Sequence, residues 1–300
     1  MSNSLFSPGH TACAGCGQSL AARLVIDACG ANTIIANNTG CLEVFSSKYP
    51  ESAWGVPWIH SLFENAAAVA SGIEAALKFL GKKEGINVIA QAGDGGTADI
   101  GLQALSGMFE RGHDILYVCY DNEAYENTGI QRSGLTPYGA NTTTTPIGKE
   151  LLLGNIRFKK PMPEIANAHG IPYVATASAA FPQDVQRKVK KAISIRGAKY
   201  IQIHVPCPLG WRHASDLTIS VGKLAVETGL YPLIEYENGK LTAVRQIQPK
   251  PVEEYLKPQG RFKHLLNNPE QIKIIQAIAD NNIEKYGLRV KTEVKSEASS

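Results

Sequence analysis

The sequence predicts an α/β fold with a mostly parallel sheet that is covered by helices on both faces. Three apolar runs of strand length, 86–92, 115–120 and 200–205, alternate with helical patterns such as 62–80 and 182–195. This alternation is typical of a parallel sheet, because a helix carries the chain back between two parallel strands. The chain has 300 residues, which is enough for one large domain of this kind or two small ones.

The remaining elements of the main domain follow from periodicity and from residues that interrupt it. The pattern predicts a helix at 19–28, a strand at 33–36 and an irregular segment at 42–60. A helix at 97–111 is expected to connect the strands at 86–92 and 115–120.

A long polar connection is predicted at 123–160, and a connection of this length in a compact domain is usually functional or disordered. A further helix is expected to begin at Pro163, and a strand is expected at 173–175.

The pattern changes towards the C-terminus. We expect residues 1–230 to form the main domain and residues 231–300 to form an extension that packs on this domain or on partner subunits. Asn238-Gly239 predicts the turn of a β-hairpin. A Pro-containing arm at 249–262, a helix at 269–286 and a charged tail at 290–300 are expected to follow.

Composition excludes several classes of protein. The net charge is +3 without a basic stripe, which gives no support for nucleic-acid binding. Residues 1–10 do not have the pattern of a signal peptide, and no apolar segment approaches the roughly 20 residues of a membrane span. We therefore expect a cytoplasmic protein that is not a membrane protein. Six cysteines are too few for a disulfide scaffold and suggest a metal or redox site.

A glycine-rich turn, Gly93-Asp94-Gly95-Gly96, follows one predicted strand, and Asp121-Asn122 follows the next. An aspartate inside a phosphate-binding turn repels phosphate unless a divalent cation lies between them. Asp94 and Asn122 offer the oxygen ligands that suit Mg²⁺. The pattern therefore predicts a metal-bridged diphosphate, and the cofactor we infer is thiamine diphosphate.

The same turn also fits the dinucleotide pattern G-x-G-x-x-A, and Asp121 stands where a ribose-binding acid would lie. Asp94 has no role in a metal-free pyrophosphate loop, whereas Asn122 supplies a second oxygen at the neighbouring strand end. The second pattern therefore leaves an NAD-binding dehydrogenase domain as an alternative.

Four cysteines occupy predicted loops, and two do not. Cys29 and Cys119 fall at a helix end and inside a strand, where free cysteines are usually buried apolar residues. The loop cysteines suit a 4Fe-4S cluster or a zinc ion. A carbanion-forming cofactor favours the cluster, which accepts electrons singly, whereas zinc would suit a non-catalytic assembly subunit. The loop cysteines are Cys13, Cys16, Cys41 and Cys207.

The sequence resembles the β subunit of the 2-oxoacid:ferredoxin oxidoreductases of the pyruvate synthase type. The resemblance extends over most of residues 5–240. The motifs that carry it are Cys13-Ala-Gly-Cys16-Gly, Thr39-Gly-Cys41-Leu-Glu43, Gly93-Asp-Gly-Gly-Thr97, Asp99-Ile-Gly-Leu-Gln-Ala-Leu-Ser106, Tyr120-Asp-Asn-Glu-Ala-Tyr125, Asn127-Thr-Gly-Ile-Gln-Arg-Ser133 and His204-Val-Pro-Cys207-Pro.

The resemblance implies a role for each matching residue. It implies that the four loop cysteines bind a proximal 4Fe-4S cluster and that Asp94, Asn122 and the Ala124 carbonyl bind Mg²⁺. Asn127 is our catalytic candidate, through contact with a substrate-derived oxygen, and the alternative is a role in ordering the loop. The residues implied to contact the cofactor are Gln18, Cys41, Gly93, Asp94, Gly95, Gly96, Asn122, Glu123, Ala124, Tyr125, Glu126 and Asn127.

The resemblance also implies an activity and a set of partners. The activity is oxidative decarboxylation of a 2-oxoacid, in the first instance pyruvate to acetyl-CoA and CO₂, with electrons passed to ferredoxin. Because the chain has room for only one of the two domains that bind thiamine diphosphate, an α subunit is expected to supply the second domain and its activating glutamate. A γ subunit and a ferredoxin-like δ subunit are also implied. Glu126 stands where pyruvate enzymes are expected to have Met, so oxalate or a branched 2-oxoacid is an alternative substrate.

Overall fold

The computed structural model describes residues 4–48, 50–148 and 152–290. Within them, eight strands form one sheet, and they are β1 (Thr33–Asn37), β2 (Trp58–His60), β3 (Asn87–Gly93), β4 (Leu116–Asp121), β5 (Tyr173–Ser178), β6 (Lys199–His204), β7 (Ile234–Glu237) and β8 (Lys240–Val244). Their order in the sheet is β2-β1-β3-β4-β6-β5-β7-β8. The first six are parallel, and β7 and β8 continue the sheet in antiparallel orientation. The predicted mostly parallel sheet is confirmed.

The helices of the described residues lie between these strands and after them. They are α1 (Gly17–Cys29), α2 (Cys41–Ser46), α3 (Ala66–Phe79), α4 (Asp94–Ala98), α5 (Leu102–Glu110), α6 (Met162–Ala168), α7 (Pro182–Ser194), α8 (Pro208–Trp211), α9 (Thr218–Glu227), α10 (Val252–Leu256) and α11 (Pro269–Tyr286). None of them is long and apolar enough to cross a membrane.

Helices cover both faces of the sheet, as the central strand β4 shows. Leu116, Val118 and Tyr120 pack in one apolar cluster with residues of α1 and α7. Tyr117 and Cys119 point to the opposite face, where residues of α3 and α5 form a second cluster. Because side chains alternate along a strand, a strand that is buried on both faces reads as a continuous apolar run. The prediction that Cys29 and Cys119 are buried is confirmed, with exposures of 7% and 0%.

Two predictions about local structure are wrong. The segment at 42–60 was expected to be irregular, but it contains most of α2 and the edge strand β2, which pairs with β1. The helix expected at 97–111 is divided into α4 and α5. A side chain at Gly101 would collide with the carbonyl oxygen of Gly96, so the chain can bend closely there only because residue 101 is glycine.

The long connection after β4 has no helix or strand in the residues described between Asn122 and Pro161. Side chains nevertheless fix it against the domain. The Thr136 hydroxyl donates to the carbonyl of Glu123 at 2.6 Å, and the Asn155 amide donates to the Thr136 carbonyl at 2.9 Å. Leu135 and Ala140 are fully buried. The connection is thus an ordered part of the core, which lets it hold residues at the sheet edge.

The C-terminal residues cover the end of the sheet. The predicted hairpin is formed by β7 and β8 with Asn238 and Gly239 in its turn. α10 and α11 pack with α9 in a third apolar cluster. The helix predicted at 269–286 is confirmed at both ends, because the Asn268 side chain accepts from the Gln271 amide at its start and Gly287 ends it with φ 63°. Residues 291–300 of the predicted charged tail lie outside the described residues.

Candidate active site

Four of the predicted ligands follow four neighbouring strands. β1, β3, β4 and β6 lie side by side in this order, and Cys41, Asp94, Asn122 and Cys207 follow them respectively. The oxygen-bearing side chains thus follow the middle strands and the cysteines follow the outer ones. The strand order also changes direction at β1, which has β2 on one side and β3 on the other. Ligand sites of open α/β sheets lie at the carboxyl ends of strands near such a point.

Three oxygen-bearing groups converge beside the glycine turn. One terminal atom of the Asn122 amide lies 2.7 Å from Asp94 Oδ1 and 2.7 Å from the Ala124 carbonyl oxygen. Without a cation, the amide nitrogen must take this position and donate to both oxygens. With a cation, the amide oxygen can take it, since adjacent ligand oxygens around octahedral Mg²⁺ lie about 2.9 Å apart. The spacing of the three groups therefore fits a magnesium site.

The environment of Asp94 also fits a cation. Asp94 is 1% exposed, and it accepts a hydrogen bond from the Ser133 hydroxyl. Burial, followed by the charge of Asp121, raises the pKa of Asp94 well above its usual range, against the opposing effect of Ser133. A divalent cation stabilises a buried carboxylate that has no basic side chain beside it. Its positive charge lowers the pKa of the carboxylate and so opposes the effects of burial and of the neighbouring acid.

Gly95 and Gly96 follow Asp94 in the first turn of α4, and both positions exclude a side chain. A Cβ at Gly95 would collide with the Tyr125 ring, and one at Gly96 would collide with the Asn38 amide. The backbone amides at the first turn of a helix have no partners within the helix. The turn therefore leaves its amides free to donate to an anion beside the Asp94 carboxylate.

The Cys13–Cys16 turn is held next to Cys207 by two glycines. Gly15 has φ 74°, and a side chain there would collide with the Ser215 carbonyl. The Gly17 amide donates to the Pro206 carbonyl at 3.1 Å. Because Pro206 directly precedes Cys207, this bond brings the first pair of cysteines to the end of β6.

Charge interactions connect the thiols of the four cysteines. Burial first, and then the charges of Glu126, Cys16 and Cys13, raise the pKa of Cys41 to about 12. Burial also raises the pKa of Cys207, and the charges of Glu126, Cys16 and Cys41 add to this effect. Buried thiols of this kind become thiolates when a cationic metal centre lies between them.

Four thiolates can hold two kinds of metal centre. In the described part of the chain, no three His, Cys, Asp or Glu side chains are assembled closely enough to hold a metal ion. Four thiolates around one zinc ion lie about 3.8 Å apart. An iron–sulfur cubane separates its thiolates further, because each binds a different iron atom. Four thiolates are thus a donor set that suits either kind of centre.

Glu126 lies between the two groups of predicted ligands. Its carboxylate occupies the space beside Gly210 and lies close to Cys207. Glu126 Oε1 is buried and has no hydrogen-bond partner among the described residues. Burial raises the pKa of Glu126 to about 7. The acid that departs from the expected motif is therefore part of the site and not a surface residue.

Comparison with known proteins identifies the family. Residues 38–203 match the family model "Thiamine pyrophosphate enzyme, C-terminal TPP binding domain". The chain is 59% identical over 285 residues to pyruvate synthase subunit PorB of Methanosarcina barkeri, and the match covers 94% of this chain and 96% of that protein. This chain belongs to the β-subunit family of the 2-oxoacid:ferredoxin oxidoreductases.

A further relative carries a different substrate in its name, and a solved structure shares the fold. Ketoisovalerate oxidoreductase subunit VorB of Pyrococcus abyssi is 54% identical over 278 residues, covering 90% of this chain and 88% of that protein. A solved 2-oxoglutarate:ferredoxin oxidoreductase from Magnetococcus marinus has a TM-score of 0.57 and 20% identity, covering 94% of this chain and 89% of that chain. This structural similarity supports the fold.

Gln18, Tyr125 and Gly93 were also predicted to contact the cofactor. Gln18 is buried in α1, and its side-chain oxygen has no partner among the described residues. The Tyr125 ring packs over Gly95, and its hydroxyl donates to Asp99 at 3.0 Å. Gly93 is the residue before α4.

The side chains of Glu123 and Asn127, which were also predicted to contact the cofactor, have other surroundings. Glu123 has φ 67°, and its side chain is directed to Lys159 and Arg261 instead of Asp94. Its backbone alone is therefore available to the cofactor site. Asn127 is exposed, and the described residues give its side chain no hydrogen bond. The structure therefore adds no contact in support of the catalytic role predicted for Asn127.

Sequence reasoning did not identify two residues that organise the site. Ser133 bonds the Asp94 carboxylate, and Trp211 Nε1 donates to the Asn122 carbonyl at 2.8 Å. Ser133 is part of the motif that begins at Asn127, but the sequence did not indicate that its side chain contacts Asp94. Trp211 carries no local signal, because only the tertiary fold brings α8 to the end of β4.

Proposed function

We propose that this chain binds thiamine diphosphate by its diphosphate, with Mg²⁺ held by Asp94, Asn122 and the Ala124 carbonyl. The observation that carries this proposal is the approach of the Asn122 amide to Asp94 and Ala124 at 2.7 Å each. The free backbone amides of Gly95 and Gly96 are suited to the diphosphate oxygens, since the first turn of a helix favours anions. The family model that the chain matches supports the cofactor assignment.

The same proposal assigns a 4Fe-4S cluster to Cys13, Cys16, Cys41 and Cys207. Its support is that the Gly17–Pro206 bond brings the Cys13–Cys16 turn to the end of β6, and that Cys41 and Cys207 lie near enough to Cys16 for their charges to interact. The Gly210 amide lies 3.5 Å from Cys207 Sγ and donates to it. Hydrogen bonds of this kind stabilise a thiolate and are one means by which proteins adjust the potential of a cluster.

The chain contributes position and environment to the reaction. When bound, thiamine diphosphate supplies the carbon nucleophile that decarboxylates a 2-oxoacid, and the cluster accepts electrons one at a time. Asp94 and Asn122 would hold the metal end of the cofactor at the ends of two strands. Cys41 and Cys207 follow the strands on either side, so a cluster held by them would lie at the same end of the sheet as the cofactor.

We assign pyruvate as the substrate, with acetyl-CoA and CO₂ as products and ferredoxin as the final electron acceptor. The chain is 59% identical to a pyruvate synthase subunit, but it is also 54% identical to a ketoisovalerate oxidoreductase subunit. The buried acid Glu126 lies beside the predicted cluster, which keeps a branched 2-oxoacid or oxalate as the second candidate.

The activity requires partner subunits under this proposal. The chain matches one domain of the thiamine enzymes, and the relatives are named as subunits. An α subunit would supply the pyrimidine-side domain and its activating glutamate. A γ subunit, a ferredoxin-like δ subunit and external ferredoxin complete the set, since six cysteines do not provide for further clusters of four thiolates.

The test is dye reduction by the purified native complex. Viologen reduction should depend on a 2-oxoacid and on coenzyme A, with pyruvate giving a higher kcat/KM than 2-oxoisovalerate, 2-oxoglutarate or oxalate. Mass spectrometry of the extracted cofactor should identify thiamine diphosphate. The isolated chain should show no turnover. NAD in the extract, or pyruvate-dependent turnover by the isolated chain, would contradict the proposal.

A further inference from the structure

One residue between two predicted magnesium ligands has an unusual backbone conformation. Glu123 lies between Asn122 and Ala124, and its φ of 67° is in the left-handed region. Residues other than glycine seldom adopt this region, because Cβ then crowds the following carbonyl oxygen. In this conformation the Asn122 amide lies 2.7 Å from the Ala124 carbonyl oxygen. The proposed magnesium site therefore depends on a backbone turn that Glu123 does not favour by itself.

The side chain of Glu123 is held by two basic residues. It is 5% exposed, with Lys159 Nζ 2.7 Å from Oε1 and Arg261 Nη2 2.5 Å from Oε2. Lys159 also lies 2.9 Å from Asp121, so its charge is shared between two acids. Within the described part of the chain, Arg261 forms an ion pair with Glu123 alone. Without Arg261, Oε2 would be buried without a partner, which favours movement of the carboxylate.

Arg261 is fixed in turn by the C-terminal extension, residues 231–300. It is 2% exposed, and its Nε donates to the Gln259 side chain at 2.9 Å. Its Nη2 donates to the Tyr255 hydroxyl at 3.1 Å. Because a guanidinium group is planar, bonds at two of its nitrogens define the orientation of the whole group. The extension thus holds Arg261 in the orientation in which it meets Glu123.

A second contact joins Arg261 to the same segment. Its Cζ lies 3.8 Å from the centroid of the Trp211 ring, within the range of a cation–π interaction. Trp211 Nε1 donates to the Asn122 carbonyl at 2.8 Å. Arg261 therefore reaches residues 122–124 by two routes, one through the Glu123 carboxylate and one through Trp211.

We propose that Arg261 is a positioning residue of the magnesium site. It holds the left-handed turn at Glu123, which brings the oxygens of Asn122 and Ala124 to one cation. Residues that orient metal ligands without binding the metal commonly contribute about 10–100-fold to metal affinity. The inference rests on the proposed magnesium site, and it makes the C-terminal extension part of that site.

The experiment measures thiamine diphosphate binding by the purified native complex after its cofactor has been removed with a chelator. Equilibrium dialysis at a series of Mg²⁺ concentrations gives the concentration at which binding is half-maximal. Arg261→Met should raise this concentration at least about 10-fold, because methionine has no charge to hold Glu123. An iron assay should show an unchanged iron content. Arg261→Lys keeps a charge for Glu123 but loses the planar contacts, so its value should lie between the two.

Leu265→Ala is the matched control for lost stability. Leu265 is 1% exposed, belongs to the same segment Gly260–Leu265 as Arg261 and lies against Gly139. Its truncation should lower the thermal midpoint, as the removal of a buried side chain does, without a change in the Mg²⁺ dependence. A shift in Mg²⁺ dependence as large as that of Arg261→Met would overturn the proposal, because the effect would then reflect stability alone.

Two substitutions at Glu123 test the backbone while Arg261 stays in place. Glu123→Ala and Glu123→Gly both lose the ion pair, but glycine adopts the left-handed region without strain. Glu123→Gly should therefore bind thiamine diphosphate about 5-fold more tightly than Glu123→Ala. Equal affinities would show that the ion pair does not act through the turn, and this comparison decides the proposal even where Arg261→Met fails to fold.

Asp94→Ala separates a failure of this inference from a failure of the proposed function. If Asp94→Ala loses Mg²⁺-dependent binding while Arg261→Met keeps the native dependence, the magnesium site stands and the positioning role is wrong. If the native complex binds thiamine diphosphate equally well without Mg²⁺, the proposed magnesium site is wrong, and this inference is wrong with it.

Discussion

The carboxylate of Glu126 occupies the space that a side chain at Gly210 would need. A Cβ at Gly210 would overlap this carboxylate, and the Gly210 amide at the same point donates to Cys207. One glycine therefore admits the buried acid and also bonds a predicted cluster ligand. This contact links the loop after β4 to the segment after β6. We therefore expect substitutions at Glu126 and Gly210 to have coupled effects on the stability of the protein.

We expect Gly210→Ala to destabilise the protein by about 1–3 kcal/mol, because the new methyl group overpacks a filled site. In a chain that already carries Glu126→Ala, the same change should cost much less, since the carboxylate is gone. Thermal unfolding of the four proteins of this double-mutant cycle measures the coupling, which should be about 1–2 kcal/mol. Additive effects would show that the two residues do not compete for space.

Asp94→Ala should separate cofactor binding from folding. The variant loses a predicted magnesium ligand, so thiamine diphosphate affinity should fall at least about 100-fold. Its thermal midpoint without cofactor should change little, because the native carboxylate is buried without a basic partner. Equilibrium dialysis in the presence of Mg²⁺ measures the affinity for thiamine diphosphate. An iron assay should show that the cluster is retained. Glu110→Ala, at an exposed acid, is the control; normal cofactor affinity in Asp94→Ala would remove the basis of the metal bridge.

The cysteines divide into two groups that iron analysis can distinguish. Each of four substitutions should remove most of the iron and acid-labile sulfide of the chain, because an alcohol is a poor substitute for a thiolate. They are Cys13→Ser, Cys16→Ser, Cys41→Ser and Cys207→Ser. Cys29→Ser and Cys119→Ser should retain the iron, since Cys29 lies at the opposite end of α1 from Cys16 and Cys119 lies inside β4. Stoichiometric zinc in place of iron in the native chain would contradict the cluster assignment.

Glu235 should make the stability of the chain depend on pH. Although burial opposes it, hydrogen bonds from Arg187, Lys191 and Tyr173 lower the pKa of Glu235 from 4.5 to about 2. Because the folded state has the lower pKa, this stabilisation is complete above about pH 4.5 and is lost as pH falls towards 2. The shift corresponds to about 3 kcal/mol.

Urea unfolding of the purified chain tests this expectation. Glu235→Gln should lower the free energy of unfolding by about 3 kcal/mol at pH 6, and the difference from the native chain should shrink by pH 3. Glu237→Gln is the matched control on the same strand, because the Glu237 side chain is 36% exposed and such ion pairs contribute little. A difference for Glu235→Gln that is the same at both pH values would show that the ion pair is not its cause.

Local sequence was sufficient for features that depend on neighbouring residues. The strands before Asp94 and Asn122 were predictable because buried parallel strands are continuous apolar runs. The ends of α11 were predictable because Asn268 and Gly287 are capping residues. α2 and β2 were not predictable from local sequence, since a short helix and a three-residue edge strand have little periodicity of their own. β2 depends on its pairing with β1.

The sequence by itself determined which residue types stand at the strand ends: the glycine turn with its acid, the amide on the next strand, and four cysteines in loops. Only the tertiary structure decided that β1, β3, β4 and β6 are neighbours, which brings Cys41 and Cys207 to either side of Asp94 and Asn122. It also decided that the Glu123 side chain turns away while Glu126 lies against Gly210. The physical reason is the range of the interactions involved. Turns and caps are set by a few adjacent residues, whereas strand order depends on burying both faces of the whole sheet.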